Sequence, residues 1–146
     1  MSTLPAIVRG MPTRAGRRVL VVNDDLRLAQ SVRRLLSETG YDARVAYDGQ
    51  AGLDALAQEP ADVMLLDLIM PGLDGWAVLE RLATQTRETR PIVLVWSVAG
   101  EPELARARRL GADECLPRET TGPTQLIDAI DHAIARLPPP SRATSE

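Results

Sequence analysis

The chain has 146 residues, 45% hydrophobic and 25% charged, with a formal net charge of −3. That length suits one domain with a real core, and so small a charge gives no basis for nucleic-acid binding through bulk electrostatics. A single cysteine, Cys115, excludes an intrachain disulfide and fits a reducing, cytoplasmic setting, a single histidine, His132, leaves no His/Cys cluster for zinc, and no apolar run approaches the roughly 20 residues of a spanning helix.

Residues 1–17 carry Gly, Pro, Ser, Thr and Arg without periodicity and are expected to form a flexible tail. Arg17-Arg18 before Val-Leu-Val-Val could open an export signal, but Asn23-Asp24-Asp25 breaks the apolar run at once. The first strand is expected from Arg18 to Asn23. In the helix that follows, Leu28, Val32, Leu35 and Leu36 mark one face, with Gly40 as its C-cap. A second strand is expected over 42–46, and Asp48 suits the N-cap of a helix presenting Leu53 and Leu56. The third strand spans Asp62 to Leu66, and its apolar core Val63–Leu66 is short enough to be buried on both faces. A Pro71-Gly72 turn and Asp74-Gly75 precede a third helix from Gly75. Pro91 opens a fourth strand, Ile92 to Trp96, and Pro102 fits the first turn of a fourth helix. The fifth strand is Glu114 to Leu116. The last helix shows Leu126, Ile127, Ile130, Ala133, Ile134 and Leu137 at helical spacing and stops at Pro138-Pro139-Pro140. Residues 138–146 read as a second flexible tail. Strands alternating with helices imply an α/β fold, a doubly wound parallel sheet with helices on both faces.

Two of these strands run into acid. Val19–Val22 leads to Asn23-Asp24-Asp25, and Val63–Leu66 leads to Asp67. The C-terminal ends of parallel strands are where open α/β sheets place their sites. If the first and third strands are neighbours, Asp24, Asp25 and Asp67 converge there. Carboxylates so close repel unless a cation neutralises them, and hard oxygen ligands with room for waters suit Mg²⁺. Such a pocket can accept a phosphoryl group with Asp67 as nucleophile.

Five segments carry a resemblance. Val21-Val22-Asn23-Asp24-Asp25, Ala46-Tyr47-Asp48-Gly49-Gln50-Ala51, Leu65 to Gly75, Pro91-Ile92-Val93-Leu94-Val95 and Gly111-Ala112-Asp113 occur in the order and spacing of two-component response-regulator receiver domains. The chain resembles that family from Arg18 to Leu137, so 18–137 is expected to be the receiver. The resemblance implies a flavodoxin-like fold with five helices and sheet order 2-1-3-4-5, an order that a receiver exemplifies in general descriptions of such folds. It also implies a phosphoacceptor signalling domain rather than an enzyme, with at most weak self-catalysed phosphorylation and dephosphorylation. A histidine kinase or phosphotransfer protein would phosphorylate Asp67. Weakly bound Mg²⁺ would be held by Asp24, Asp67, the backbone carbonyl of Ile69 and, through water, Asn23. A downstream partner or a second copy would dock on the helix 4–strand 5–helix 5 face.

The departures from the family pattern concern the site itself. Asn23 stands where receivers carry an acid. The family's lysine position falls on Arg118, followed by Glu119 where a proline is usual, and the chain contains no lysine. A planar guanidinium does not replace a compact ammonium. A cis bond before Glu119 would cost about 2.5–4 kcal/mol, so a trans bond is expected, with Pro117 turning the chain one residue earlier. The hydroxyl position falls on Trp96 by ungapped spacing or on its neighbour Ser97. The two face opposite ways in a regular strand, so either Ser97 swings in at the strand end or the hydroxyl is absent. Cys115 takes the aromatic position of the fifth strand. The usual relay from site to output face has therefore lost its parts.

Milder readings stand beside these. Trp96 and Cys115 fit plain core packing, His132 a solvated helix position, and Arg106, Arg108 and Arg109 a solvated face. The alternative to a working phosphoacceptor is a degenerate, phosphorylation-independent receiver acting as a protein-interaction module. No output domain follows Leu137 in this sequence, which reads as a single-domain regulator or as the receiver of a longer protein.

Overall fold

The computed structural model describes residues 14–86 and 88–138. Five parallel strands, β1 (Arg18–Val22), β2 (Asp42–Ala46), β3 (Val63–Leu66), β4 (Ile92–Ser97) and β5 (Glu114–Pro117), form one sheet in the order β2-β1-β3-β4-β5. Between and after them run α1 (Leu26–Glu38), α2 (Gly49–Gln58), α3 (Gly75–Leu82), α4 (Glu101–Arg109) and α5 (Pro123–Ala135). The expected flavodoxin-like architecture is the one observed.

The central strands are apolar on both faces because both faces are covered. Val19, Val21, Leu65, Leu94 and Trp96 point into one layer, with Ala29, Val32 and Leu36 of α1 and Leu126 and Ile130 of α5. Leu20, Val22, Leu66, Val93 and Val95 point into the other, with Val78 and Leu82 of α3 and Leu104 of α4. The period-two alternation of a strand thus assigns successive residues to opposite layers.

Element boundaries shift for local reasons. β3 starts at Val63, one residue later than expected, and the Asp62 carboxylate before it accepts the Arg18 backbone N–H at 2.8 Å. β4 and β5 each extend one residue further than expected, the pairing ending in Ser97 with Pro117. Just beyond it, the Arg118 N–H donates to the Ser97 carbonyl at 2.9 Å. The α5 helix ends at Ala135, so Leu137 lies past its last turn. Among the described residues no peptide is cis, so the bond before Glu119 is trans.

The expected tails at 1–17 and 138–146 fall mostly outside the described residues. Where the first is described it is tied down. Arg14 donates to both carboxylate oxygens of Asp131, at 3.0 and 2.7 Å. Arg17 is buried, lies 3.6 Å from Asp62 and donates to the Pro138 carbonyl.

Candidate functional site

Parallel pairing brings the loops after β1, β3, β4 and β5 to one edge of the sheet. The β1–β3 ladder continues one step past the strands, where the Asp67 N–H donates to the Val22 carbonyl at 3.0 Å. This sets Asp67 beside the Asn23-Asp24-Asp25 turn. Asn23 is buried, and its Oδ1 accepts the Asp25 N–H at 2.9 Å. Asp25 caps α1 by accepting the Leu28 N–H at 3.1 Å. Of the three acids expected to converge, Asp25 is therefore committed to its helix, whereas Asp24 still acts electrostatically on Asp67. The loop's own hydrogen bonds redirect that one side chain.

Behind Asp67 the chain turns tightly into α3. Asp74 caps that helix by accepting the Ala77 N–H at 2.9 Å. A Cβ at Gly75 would stand 2.5 Å from the Asp67 carbonyl oxygen and 2.6 Å from the Leu68 Cα. Only glycine lets the helix start so close to the strand end. The Asp74-Gly75 pair is thus a geometric support for the backbone that holds Asp67.

The Asp67 side chain is only 7% exposed. Burial pushes its carboxyl above the ordinary carboxylate range; the Arg118 charge, the Ser97 hydroxyl and the Ile69 backbone N–H oppose that, while Asp24 adds to it. Oδ1 of Asp67 is buried without a hydrogen-bond partner among the described residues. The nearest cation is Arg118, whose Nη2 lies 3.5 Å away. The same guanidinium lies over the Trp96 ring, 4.9 Å from its centroid, and Nη2 donates to the Trp96 carbonyl at 3.4 Å.

Of the two candidates for the hydroxyl position, Ser97 is fully buried, and its hydroxyl favours the charged form of Asp67. Trp96 packs into the α1/α5 layer and donates its Nε1–H to the Thr121 carbonyl at 3.1 Å. Ser97 is still within the ladder, paired with Pro117, so the alternation of the strand turns it to the layer opposite Trp96.

Asp24, Asp67, Ser97 and Arg118 are therefore gathered at one edge, with Trp96 beneath Arg118. Ile69 is at the rim, 54% exposed. Among the described residues no group of three or more His, Cys, Asp or Glu side chains stands at metal-holding spacing. Two carboxylates remain, Asp24 and Asp67. Oxygen donors so few suit a cation that keeps several waters, as Mg²⁺ does. The Arg118–Trp96 stacking and the Trp96–Thr121 hydrogen bond were not foreseen. Their only sequence signal was an aromatic residue and an arginine at two altered positions of one pattern.

Elsewhere, Cys115 is buried against α4, and burial raises its thiol pKa. His132 is exposed, with Nδ1 2.8 Å from the Asp128 carbonyl of its own helix. Arg108 pairs with Glu101 at 2.8 Å, and Arg106 lies 5.2 Å from the centre of the Trp76 ring. Among the described residues no helix is long and apolar enough to cross a membrane.

Residues 19–131 match the family model of the response regulator receiver domain. The chain belongs to that family. It is 38% identical over 101 residues to the response regulator MprA of Mycobacterium avium (strain 104), a stretch covering 69% of this chain and 44% of that protein. The chain thus spans less than half the length of this relative. Among solved structures, it is similar to a signal receiver domain from Bermanella marisrubri, with 30% identity and a TM-score of 0.74 over 84% of this chain and 99% of that one. It is also similar to the receiver domain of the Francisella response regulator 1452, with 28% identity and a TM-score of 0.74 over 82% and 98%. This receiver is a phosphoacceptor signalling module and not an enzyme in the usual sense; members of the family undergo weak autophosphorylation and dephosphorylation. Receivers generally use an aspartate with Mg²⁺ and act through a histidine kinase or a downstream partner.

Proposed function

We propose that residues 18–137 form a cytoplasmic receiver that takes a phosphoryl group on Asp67 from a histidine kinase or phosphotransfer protein and signals by protein contact. One observation carries this reading: a buried carboxylate oxygen, Oδ1 of Asp67, has no hydrogen-bond partner among the described residues and faces a single cation. A carboxylate oxygen attacks the phosphorus of a phosphohistidine. A P–O bond forms, the P–N bond breaks, and the departing imidazole nitrogen recovers a proton from water. The product is an acyl phosphate on Asp67.

The residues would hold Mg²⁺ through Asp24, Asp67 and the backbone carbonyl of Ile69, with Asn23 reaching it through water. When bound, the ion supplies positive charge for the phosphoryl oxygens. With Asn23 in place of an acid, binding is weak. The Arg118 guanidinium neutralises Asp67 before transfer and restrains the oxygen that must attack, so labelling is slow. The Ser97 hydroxyl is placed to donate to a phosphoryl oxygen. A downstream partner or a second copy docks on the α4–β5–α5 face.

Intact mass after incubation with Mg²⁺ and acetyl phosphate tests the reading. A phosphoryl adduct is expected on the wild type and not on Asp67→Ala, and Arg118→Lys should label faster. Absence of an adduct on both the wild type and Arg118→Lys would instead support the degenerate, phosphorylation-independent receiver, which Asn23 and the Arg118–Asp67 pair favour.

A further inference from the structure

The family pattern is broken at several positions, and two of the residues standing there, Arg118 and Trp96, touch each other. Arg118 sits on the last turn out of β5 with its guanidinium on the Trp96 indole, and the same group is the only cation acting on Asp67 among the described residues. Trp96 is buried in the α1/α5 layer and bonds by Nε1 to the Thr121 carbonyl. Thr121 is itself buried, its N–H donates back to the Arg118 carbonyl at 3.4 Å, and the next residue, Gly122, is the N-cap of α5. Asp67, Arg118, Trp96, Thr121 and the start of α5 form one chain of direct contacts.

Charge decides how this chain responds. The guanidinium has two attractors, the carboxylate on one side and the indole face on the other. A cation over an indole is held by the ring's negative face, a weaker attraction than a full opposite charge supplies. An acyl phosphate on Asp67 carries up to about two negative charges in place of the carboxylate's one, and its three terminal oxygens bind arginine through charge-assisted hydrogen bonds. The dianionic group outcompetes the ring. Because both attractions act on one side chain, strengthening the first weakens the second.

We propose that Arg118 and Trp96 are the phosphorylation sensor of this receiver: the phosphoryl group on Asp67 draws Arg118 off the indole, and the released Trp96 loosens its hold on Thr121 and on the first turn of α5. Both act as positioning residues. This rests on Asp67 being the phosphoacceptor, and it replaces the hydroxyl–aromatic relay whose aromatic position is Cys115 in this chain. It makes the α5 side of the output face the part that responds.

The test uses the full chain carrying Trp76→Phe, which leaves Trp96 as the only tryptophan. Acetyl phosphate with Mg²⁺ is the probe, adduct is counted by intact mass, and Trp96 emission and amide hydrogen exchange are read on the same samples. With the adduct, Trp96 emission changes and the amides of Thr121, Gly122, Thr124, Gln125 and Leu126 exchange roughly fivefold faster, the ratio expected for losing one hydrogen bond. In Arg118→Ala both responses, taken per mole of adduct counted by intact mass, disappear. In Trp96→Phe, which keeps a ring face but not the N–H and leaves no tryptophan emission to read, the exchange response disappears. An adduct with unchanged emission and exchange overturns the proposal while leaving Asp67 as acceptor. Responses that persist in Arg118→Ala also overturn it. Absence of any adduct overturns the proposal together with the reading it rests on.

Discussion

Replacing Arg118 with methionine keeps the length and packing of the stem on Trp96 and removes the charge. At the 3.5 Å separation of Nη2 from Asp67 Oδ1, Coulomb's law with an effective dielectric near 20 gives a gross attraction of about 5 kcal/mol. Most of that is offset by desolvating the two groups, and the guanidinium side chain is still 24% exposed, so a net loss of about 1–2 kcal/mol is expected. For a domain of this size that lowers Tm by about 3–8 °C. The loss depends on pH with a definite sign. Burial already raises the Asp67 carboxyl above its unfolded value, so the folded state binds more protons than the unfolded one across that window and stability falls as pH rises through it. Removing Arg118 raises the folded value further. The variant's deficit is therefore small where Asp67 is protonated and full where it is ionised. Urea denaturation at about pH 4.5 and about pH 7.5 measures the difference, because those conditions lie near and well above the carboxylate range. Adding Asp67→Asn to the variant should remove the pH-dependent part. A deficit equal at the two pH values, or a variant more stable than wild type at the higher one, would show that Arg118 does not act through the Asp67 charge.

Gly75→Ala should cost about 1–3 kcal/mol in urea denaturation, since the added Cβ meets the Asp67 carbonyl oxygen at 2.5 Å; wild-type stability would mean that α3 starts further from Asp67 than described. Asp131→Ala removes the carboxylate shared by Arg14 and Tyr41. The Tyr41 phenol, pushed well above its ordinary range by burial and by that carboxylate, should then titrate lower in a spectrophotometric titration, and an unchanged titration would contradict the cluster. Isothermal titration should detect weak Mg²⁺ binding that vanishes in Asp24→Ala, whereas binding that survives the substitution would place the ion elsewhere. Cys115, buried and with its thiol pKa raised, should react with a disulfide reagent about tenfold or more slowly than a free thiol at the same pH, and a fast reaction would mean that α4 opens readily from β5.

Much of this protein is written locally. Val19–Val22, Val63–Leu66 and Val93–Val95 read as buried strands because a parallel sheet covered on both faces leaves no polar side to alternate with. Asp48 was legible as an N-cap, and Asp25 and Asp74 prove to cap their helices in the same way, since capping depends on a few neighbouring residues. The position of Asp67 at the end of a buried strand, and its convergence with Asp24, followed from strand order alone. What tertiary structure decided lies where the local rule lapses or where partners are far apart in sequence. Trp96 and Ser97 both lie within the ladder and take opposite layers, and which layer Trp96 takes is set by its packing with α1 and α5, which the motif spacing does not encode. Arg118 meets both Asp67 and Trp96 only because β4 separates β3 from β5 in the sheet, and Arg14 meets Asp131 only because the start of the chain passes beside α5. Periodicity reports which face a residue takes; the order of the strands determines which distant charge it finds there.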